Sequence, residues 1–320
     1  MKISVLGCGR WGTFLAAYHS RANEVLLWGR ESSKNFQTLA QTRKNEYQTL
    51  PEALLLSSDL SQALQYADTI IISIAAQHLG EFAAQINEYS ITGKTFVLCM
   101  KGIDANTGKR LSEVFTQFVS QPIHLAVWVG PGHVEDFEKG IPNCMVVDSA
   151  DPATIEAIVT GLSSDLIRLY KGNDLIGTEV GAAAKNVIGI AAGMLDGAGY
   201  TSLKGALMAR GAREIARLIH AMGGNELSAY GLCHLGDYEA TLFSKHSHNR
   251  MFGEQFVLQK PYDKLAEGAY TVKALVALGK EYQVELPICE TVYKVLYEHY
   301  TPSEVLPMLF ARSIKGEFDL

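Results

Sequence analysis

Short apolar runs recur along the first half of the chain, each followed by a polar turn and then a longer amphipathic stretch. Ile3–Leu6, Val25–Trp28, Thr69–Ile74, Thr95–Met100 and Leu125–Val129 read as strands. They are short, rich in Val and Ile, and bounded by turn residues. Their near-continuous apolar character predicts strands covered on both faces, as in a parallel sheet. Trp11–Arg21 and Leu79–Tyr89 carry helical periodicity between them, and this alternation predicts a doubly wound α/β domain. Cys144–Val147 and Leu166–Tyr170 extend the expected sheet.

The texture changes after Lys171-Gly172. From Asp174 to about Leu195, the residues Leu175, Ile176, Val180, Ala183, Val187 and Ile190 share one broad helical face. Further helices are expected near Leu203–Met222, Tyr270–Tyr282, Pro287–Glu298 and Ser303–Phe310, with no strand pattern among them. The reading is an α/β fold of two domains: an N-terminal Rossmann-type doubly wound domain, residues 1–171, and an all-helical domain, residues 172–320.

Composition narrows the function classes. A chain of 320 residues suits about two domains, and 48% hydrophobic with 19% charged residues suits packed cores. A net charge of -6 argues against a broad nucleic-acid surface. The five cysteines form no CxxC pair, which argues against a disulfide framework or a cysteine zinc site and sets a reduced, cytoplasmic location as the expectation. No apolar run approaches the roughly 18–20 residues of a membrane span. The apolar N-terminal stretch is broken by Arg10, so it reads as strand, turn and helix rather than as a signal peptide.

Gly7-Cys8-Gly9-Arg10-Trp11-Gly12 is a GxGxxG element that follows a strand and opens a helix. In that context Gly7 permits a tight turn, Gly9 lets backbone approach a pyrophosphate, and Gly12 lets helix and strand pack closely. The helix N-terminus supplies N–H groups to the anion. After the second strand comes Trp28-Gly29-Arg30, where Arg30 can pair with a ribose 2′-phosphate or cover the adenine. Glu31 beside it opposes a 2′-phosphate. The cofactor expected is NADP(H) or NAD(H), with NADP(H) favoured.

Lys185 stands among small and apolar residues of a helical segment. Two readings fit that pattern. Desolvation can lower its pKa into the range useful for proton exchange, or its amine can snorkel to water. The basic group Lys101, Lys109 and Arg110 reads as a solvated helix start. His234, His246 and His248 admit a metal site, but without partner cysteines they read as solvated, and no metal is expected.

The stretches GCGRWGT (7–13), GTEVGAAAKNVIGIAAG (177–193), GLCHLGDYEAT (231–241), SHNRMFG (247–253) and ELPICETVYKVLYE (285–298) occur in this order. With Trp28-Gly29-Arg30, Lys101-Gly102, Gly130-Pro131, Asp196-Gly197, Arg210-Gly211 and Glu267-Gly268, they resemble the bacterial type of the NAD(P)-dependent glycerol-3-phosphate dehydrogenase family over essentially the whole chain. The resemblance implies that dihydroxyacetone phosphate and sn-glycerol 3-phosphate are interconverted by hydride transfer, supplying glycerophospholipid synthesis. It implies Lys185 as proton donor and acceptor, Lys101 near the reacting oxygen and the nicotinamide, and Asp237 orienting Lys185. Substrate contacts are implied for Lys101, Gly130, Gly132, Lys185, Asp237, Thr241, Ser247, His248 and Asn249. Arg10, Trp11, Arg30, Lys101, Val134, His248, Leu265 and Glu267 fall on cofactor positions. A homodimer acting on a small phosphorylated substrate, with no nucleic-acid partner, completes the expectation.

The match departs at several positions. Ser-Arg-Asn-Arg of the family is Ser247-His248-Asn249-Arg250, and His248 cannot make the two-pronged fork of arginine. Arg250 or Lys245 is the expected compensation. Pro-Ser becomes Ala75-Ala76, the residue after Gly-Pro is Gly132, Ala becomes Val134, Gly-Asp-Asn becomes Tyr200-Thr201-Ser202, and Thr-Arg-Gly becomes Ala209-Arg210-Gly211. These changes bear on the substrate more than on the cofactor. Two alternatives remain: a dehydrogenase of the same architecture acting on another phosphorylated ketone or a hydroxyacid, and a non-catalytic NAD(P)-binding sensor.

Overall fold

The computed structural model describes residues 1–313 and 316, so the end of the expected 172–320 range (314, 315 and 317–320) lies outside the described residues. Two compact units divide the chain. The first holds Met1–Met100 and Leu111–Asn173, and the second holds Lys101–Arg110 and Asp174 onward. A contiguous first domain over 1–171 is therefore interrupted. Ile103 is fully buried in the apolar core of the second unit, and Arg110 pairs with Glu179 of that unit at 2.7 Å. The segment 101–110 is held there by a core residue and a buried ion pair.

The first unit is built on one eight-stranded sheet. Its strands are β1 (Lys2–Leu6), β2 (Glu24–Trp28), β3 (Leu55–Ser57), β4 (Thr69–Ile72), β5 (Thr95–Leu98), β6 (His124–Val129), β7 (Asn143–Asp148) and β8 (Ile167–Lys171), in the spatial order 3-2-1-4-5-6-7-8. The chain leaves β1 toward β2 on one side and returns to β4 on the other, which makes the end of β1 a topological switch point. Ile3, Val5, Leu6, Val25, Leu26, Leu27 and Ile70–Ile72 are at most 1% exposed, as strands covered on both faces require. One pairing breaks the parallel pattern, β6 with β7. The five-residue helix Val134–Glu138 between them is about 7.5 Å long. It cannot return the chain along a strand of roughly 20 Å, and the chain turns back instead.

Strand β3 and the helices Lys34–Thr42, Leu60–Tyr66, Val134–Glu138, Pro152–Leu162 and His248–Val257 lie where no element was expected, while Leu111–Phe118 follows the helix start read at Lys109-Arg110. Four of these helices begin at Ser33, Asp59, Asp151 and Ser247, whose side chains accept from N–H groups of the first turn. The cap residues were the available signal.

In the second unit the helix Leu175–Gly197 is central, and all its residues from Gly177 to Met194 are buried. It is the one helix among the described residues long and apolar enough to cross a membrane by length and composition, with 89% of its most apolar window buried inside the protein. The expectation concerned uninterrupted apolar runs, and this helix is not one. Thr178, Glu179, Lys185 and Asn186 break the apolar run in sequence, yet each is buried in the fold. The remaining helices of this unit include Lys204–Ala221, Glu267–Glu281, Pro287–Tyr297 and Pro302–Phe310, and no strand follows Asp174 among the described residues. Glycines let His248–Val257 lie directly on the central helix. A Cβ on Gly193 would sit 1.9 Å from the Arg250 carbonyl oxygen, and one on Gly253 would sit 2.2 Å from that of Ile190. Side chains there would force the two backbones apart.

Candidate active site

In the first unit the three glycines have three different reasons. Gly7 has φ +122, and a Cβ on it would lie 2.0 Å from the Ser73 carbonyl oxygen on β4's exit. On Gly12 a Cβ would lie 2.0 Å from the Gly7 carbonyl oxygen. A Cβ on Gly9 would meet nothing within 4 Å among the described residues, so no protein contact there calls for glycine. Gly9 is also the N-cap of Arg10–His19. It provides no side-chain cap, and the first turn holds no acidic residue. N–H groups at such an end suit an anion such as a pyrophosphate. The residues present therefore fit a dinucleotide.

Around this turn Trp11 packs against Phe14 and Phe137, and Arg10 pairs with Glu135. Gly130, at φ +128, ends β6, where a Cβ would come within 3.0 Å of the Met145 Cα. Gly132 faces the Phe137 ring, and Val134 is buried at the start of its short helix. Arg30 is exposed beyond β2 and lines a cleft with Trp28, Glu31 and Asp59. Both carboxylates in that cleft oppose a 2′-phosphate, so the site is less one-sided toward NADP(H) than Arg30 alone suggests.

The second unit brings Lys101, Lys185, Asp237 and Thr241 together. Lys101 Nζ and Lys185 Nζ stand 2.7 and 2.8 Å from the same oxygen, Asp237 Oδ2. Lys185 Nζ also donates to Thr241 Oγ1 at 2.8 Å, and that hydroxyl reaches Asp237 Oδ1 at 3.5 Å. Asp237 and Lys185 are 2% and 9% exposed in their side chains, against 22% for Lys101. Burial brings the Lys185 ammonium down to about 8, reinforced by the Lys101 charge and opposed by Asp237. Thr241 lies on the one π-helical turn among the described residues, Glu239–Phe243. Such turns are rare and recur at functional sites.

Asn186 was not expected at the site. Its Nδ2 donates to the Lys101 carbonyl at 3.1 Å, tying the 101–110 segment to the residue beside Lys185. Adjacency in the Lys185-Asn186 pair was the only sequence signal. The basic group at 101–110 is corrected in the same way. Lys101 and Arg110 are paired with Asp237 and Glu179 rather than solvated.

Gly189, one turn beyond Lys185, faces Thr241 and Asn249, with Asn249 Cβ 3.4 Å from where its own Cβ would be. Asn249 is oriented by the Gly268 N–H, which donates to its Oδ1 at 2.9 Å. Ser247 spends its hydroxyl as the N-cap of His248–Val257, accepting from the Arg250 N–H. His248 stands edge-on to the Tyr262 ring. Arg250 is not the compensating cation it was expected to be. Its guanidinium bonds Asp196 at 2.5 Å, Glu254 at 3.0 Å and the Ser244 carbonyl. Lys245 remains exposed. Leu265 is half exposed, and Glu267 opens the helix Glu267–Glu281. His234 is consumed by bonds to Gly181 and Tyr238, and no cluster of three or more His, Cys, Asp or Glu suited to a metal occurs among the described residues.

The fold and these sites define a class, the nicotinamide-dependent dehydrogenases that combine a doubly wound sheet with a helical unit carrying a buried lysine. Residues 2–155 match the sequence family described as NAD-dependent glycerol-3-phosphate dehydrogenase N-terminus, and residues 174–307 match its C-terminus. The chain is 36% identical over 332 residues to the glycerol-3-phosphate dehydrogenase [NAD(P)+] of Prosthecochloris aestuarii, covering 99% of this chain and 100% of that one. It is 34% identical to the enzyme of the same name from Chlorobium phaeobacteroides, covering 99% of each. A solved glycerol-3-phosphate dehydrogenase from Coxiella burnetii superposes with a TM-score of 0.89 at 28% identity, covering 97% of this chain and 99% of that one. The chain belongs to the NAD-dependent glycerol-3-phosphate dehydrogenase family.

Proposed function

We propose that the protein interconverts dihydroxyacetone phosphate and sn-glycerol 3-phosphate, with Lys185 as general acid and base. The observation that carries this reading is the Lys185–Asp237 contact of 2.8 Å in a buried setting, within a chain whose full-length relatives bear that enzyme's name. A bound reduced nicotinamide supplies a hydride to the carbonyl carbon. Lys185, as the ammonium, gives its proton to the oxygen that becomes the alcohol. Lys101 places its Nζ–H groups beside that oxygen and stabilises the negative charge that develops on it. Asp237 holds both ammonium groups by charge-assisted bonds, and Thr241 Oγ1 accepts a further hydrogen bond from Lys185 Nζ, which limits the directions the amine can point. In the oxidative direction the neutral Lys185 amine accepts the alcohol proton.

Gly7, Gly9, Arg10, Trp11, Gly12, Arg30 and Val134 hold the dinucleotide in this reading, with Lys101, His248, Leu265 and Glu267 completing its contacts. Gly130, Gly132, Thr241, Ser247, His248 and Asn249 take the substrate, and Asn249 with His248 faces its phosphate. Both NADPH and NADH serve, because Arg30 favours a 2′-phosphate while Glu31 and Asp59 line the same cleft. A homodimeric, cytoplasmic enzyme feeding glycerophospholipid synthesis belongs to the same proposal.

The test follows oxidation of NADPH or NADH by near-ultraviolet absorbance with dihydroxyacetone phosphate, using unphosphorylated dihydroxyacetone as control. Turnover that requires the phosphate is the expected result. Silence with both cofactors, from protein shown to bind one of them, overturns the reading and favours the non-catalytic sensor.

A further inference from the structure

A buried histidine bridges the two elements that carry Lys185 and Asp237. His234 and Tyr238 are both fully buried, and both belong to the second unit. The His234 Nδ1–H donates to the Gly181 carbonyl at 2.8 Å, because a carbonyl can only accept. That leaves Nε2 as an acceptor, and the Tyr238 hydroxyl donates to it at 2.6 Å. The direction of every proton in this chain is thereby set.

The position of this chain matters. Gly181 lies one helical turn before Lys185 on Leu175–Gly197. Asp237 directly precedes Tyr238 and closes the short turn Leu235–Asp237 that follows His234. A Cβ on Gly181 would lie 3.0 Å from Cys233 Sγ and 3.1 Å from His234 Cβ, so glycine lets the turn seat on the helix at this level. Neutral imidazole suits the task, since an imidazolium could not accept from Tyr238. Burial holds His234 down to about 4.

We propose that His234, braced by Tyr238, is a positioning residue that holds the Asp237 carboxylate in register with Lys185. The inference rests on the proposed role of Lys185 and goes beyond it, because neither side chain bonds the reacting groups. Lys185 on the central helix and Asp237 on the turn are the charged groups acting on His234, while Glu214 and Cys289 act on Tyr238 from Lys204–Ala221 and Pro287–Tyr297. Lys101 acts on Lys185 itself. When the bridge is cut, Asp237 relaxes away from Lys185 and supports its charged form less, so Lys185 loses its proton at lower pH.

The experiment titrates the Lys185 side-chain amine by nuclear magnetic resonance in protein labelled with ¹⁵N at lysine Nζ. The Lys185→Ala spectrum assigns the resonance. Wild type is compared with His234→Gln and with Tyr238→Phe, which removes one hydroxyl and keeps the protein folded if the first variant does not. The expected result is a Lys185 midpoint lower by about half a pH unit in either variant. A fall in kcat of about fivefold, the scale of one lost hydrogen bond, and an unchanged NADPH affinity accompany it. A purely packing role lowers the melting temperature and leaves the titration where it is, and that outcome overturns the inference. A shifted titration in a protein without turnover supports the bridge and sinks the proposed function, so the two failures are distinguishable.

Discussion

The glycine turn of the first unit and the lysine cluster of the second are made of opposite materials. The turn is a site of missing side chains: Gly7 and Gly12 leave room for protein backbone, and Gly9 leaves room that no atom of the described residues uses. Its charge is the partial charge of a helix end and does not titrate. The cluster is a site of present side chains, with two ammonium groups on one carboxylate oxygen and little water around them. There, burial sets the chemistry, because desolvation of Lys185 outweighs the attraction of Asp237 and brings its proton into exchange near neutral pH. In the proposed function, binding thus falls to rigid backbone and proton transfer to a coupled, titrating group.

This comparison can be broken most sharply at Lys185. Lys185→Ala is expected to lower kcat by about 10²–10⁴-fold, the worth of a general acid and base, while NADPH affinity measured by fluorescence stays as in wild type. Loss of both together would mean that the division of labour is wrong. The turn offers its own contrast. Gly7→Ala should fail to give a folded first unit in circular dichroism, since its Cβ would overlap a carbonyl at 2.0 Å in a left-handed conformation. Gly9→Ala should fold with an unchanged melting temperature and weaken the dinucleotide by about tenfold, or roughly 1.4 kcal/mol.

A smaller effect lies in pH. If Lys185 is the proposed general acid and base, reduction should slow as pH rises through about 8, while oxidation of the alcohol should rise through the same value. Asp237 raises the Lys185 pKa, so Asp237→Asn should move both limbs to lower pH in steady-state profiles. The stability sign follows from the same depression. Between about 8 and the ordinary lysine value of 10.5 the unfolded chain binds the extra proton. The cost of burying this ammonium is therefore relieved as pH rises through that window. Smallest of all, His248→Arg should lower KM for the phosphorylated ketone by about threefold, one extra exposed charge contact being worth up to roughly 1 kcal/mol. No change in KM would show that the phosphate is held elsewhere.

The turn was legible in the chain because its parts are contiguous. A glycine pattern between a short apolar strand and an amphipathic helix states its own geometry. The cofactor cleft was only half legible: Arg30 and Glu31 are adjacent, but Asp59 reaches the same cleft from the start of another helix. Arg250 shows the limit from the other side. Beside Asn249 it reads as a phosphate ligand, yet Asp196, brought close by the glycine-lined packing of two helices, takes its guanidinium. Arg110 was misread as solvated for the same reason, since Glu179 is remote in sequence.

The sequence by itself determined the strand–helix alternation of the first unit, the helical second unit, the glycine turn and, through motif order, the family. These rest on local periodicity and on residues that act within a few positions of one another. Only the tertiary structure decided that 101–110 joins the second unit, that Lys101 and Lys185 share one Asp237 oxygen, and that His234 spans from Gly181 to Tyr238. A side-chain pKa and a hydrogen-bond direction depend on burial and on neighbours chosen by packing, and neither is a property of any segment of chain alone.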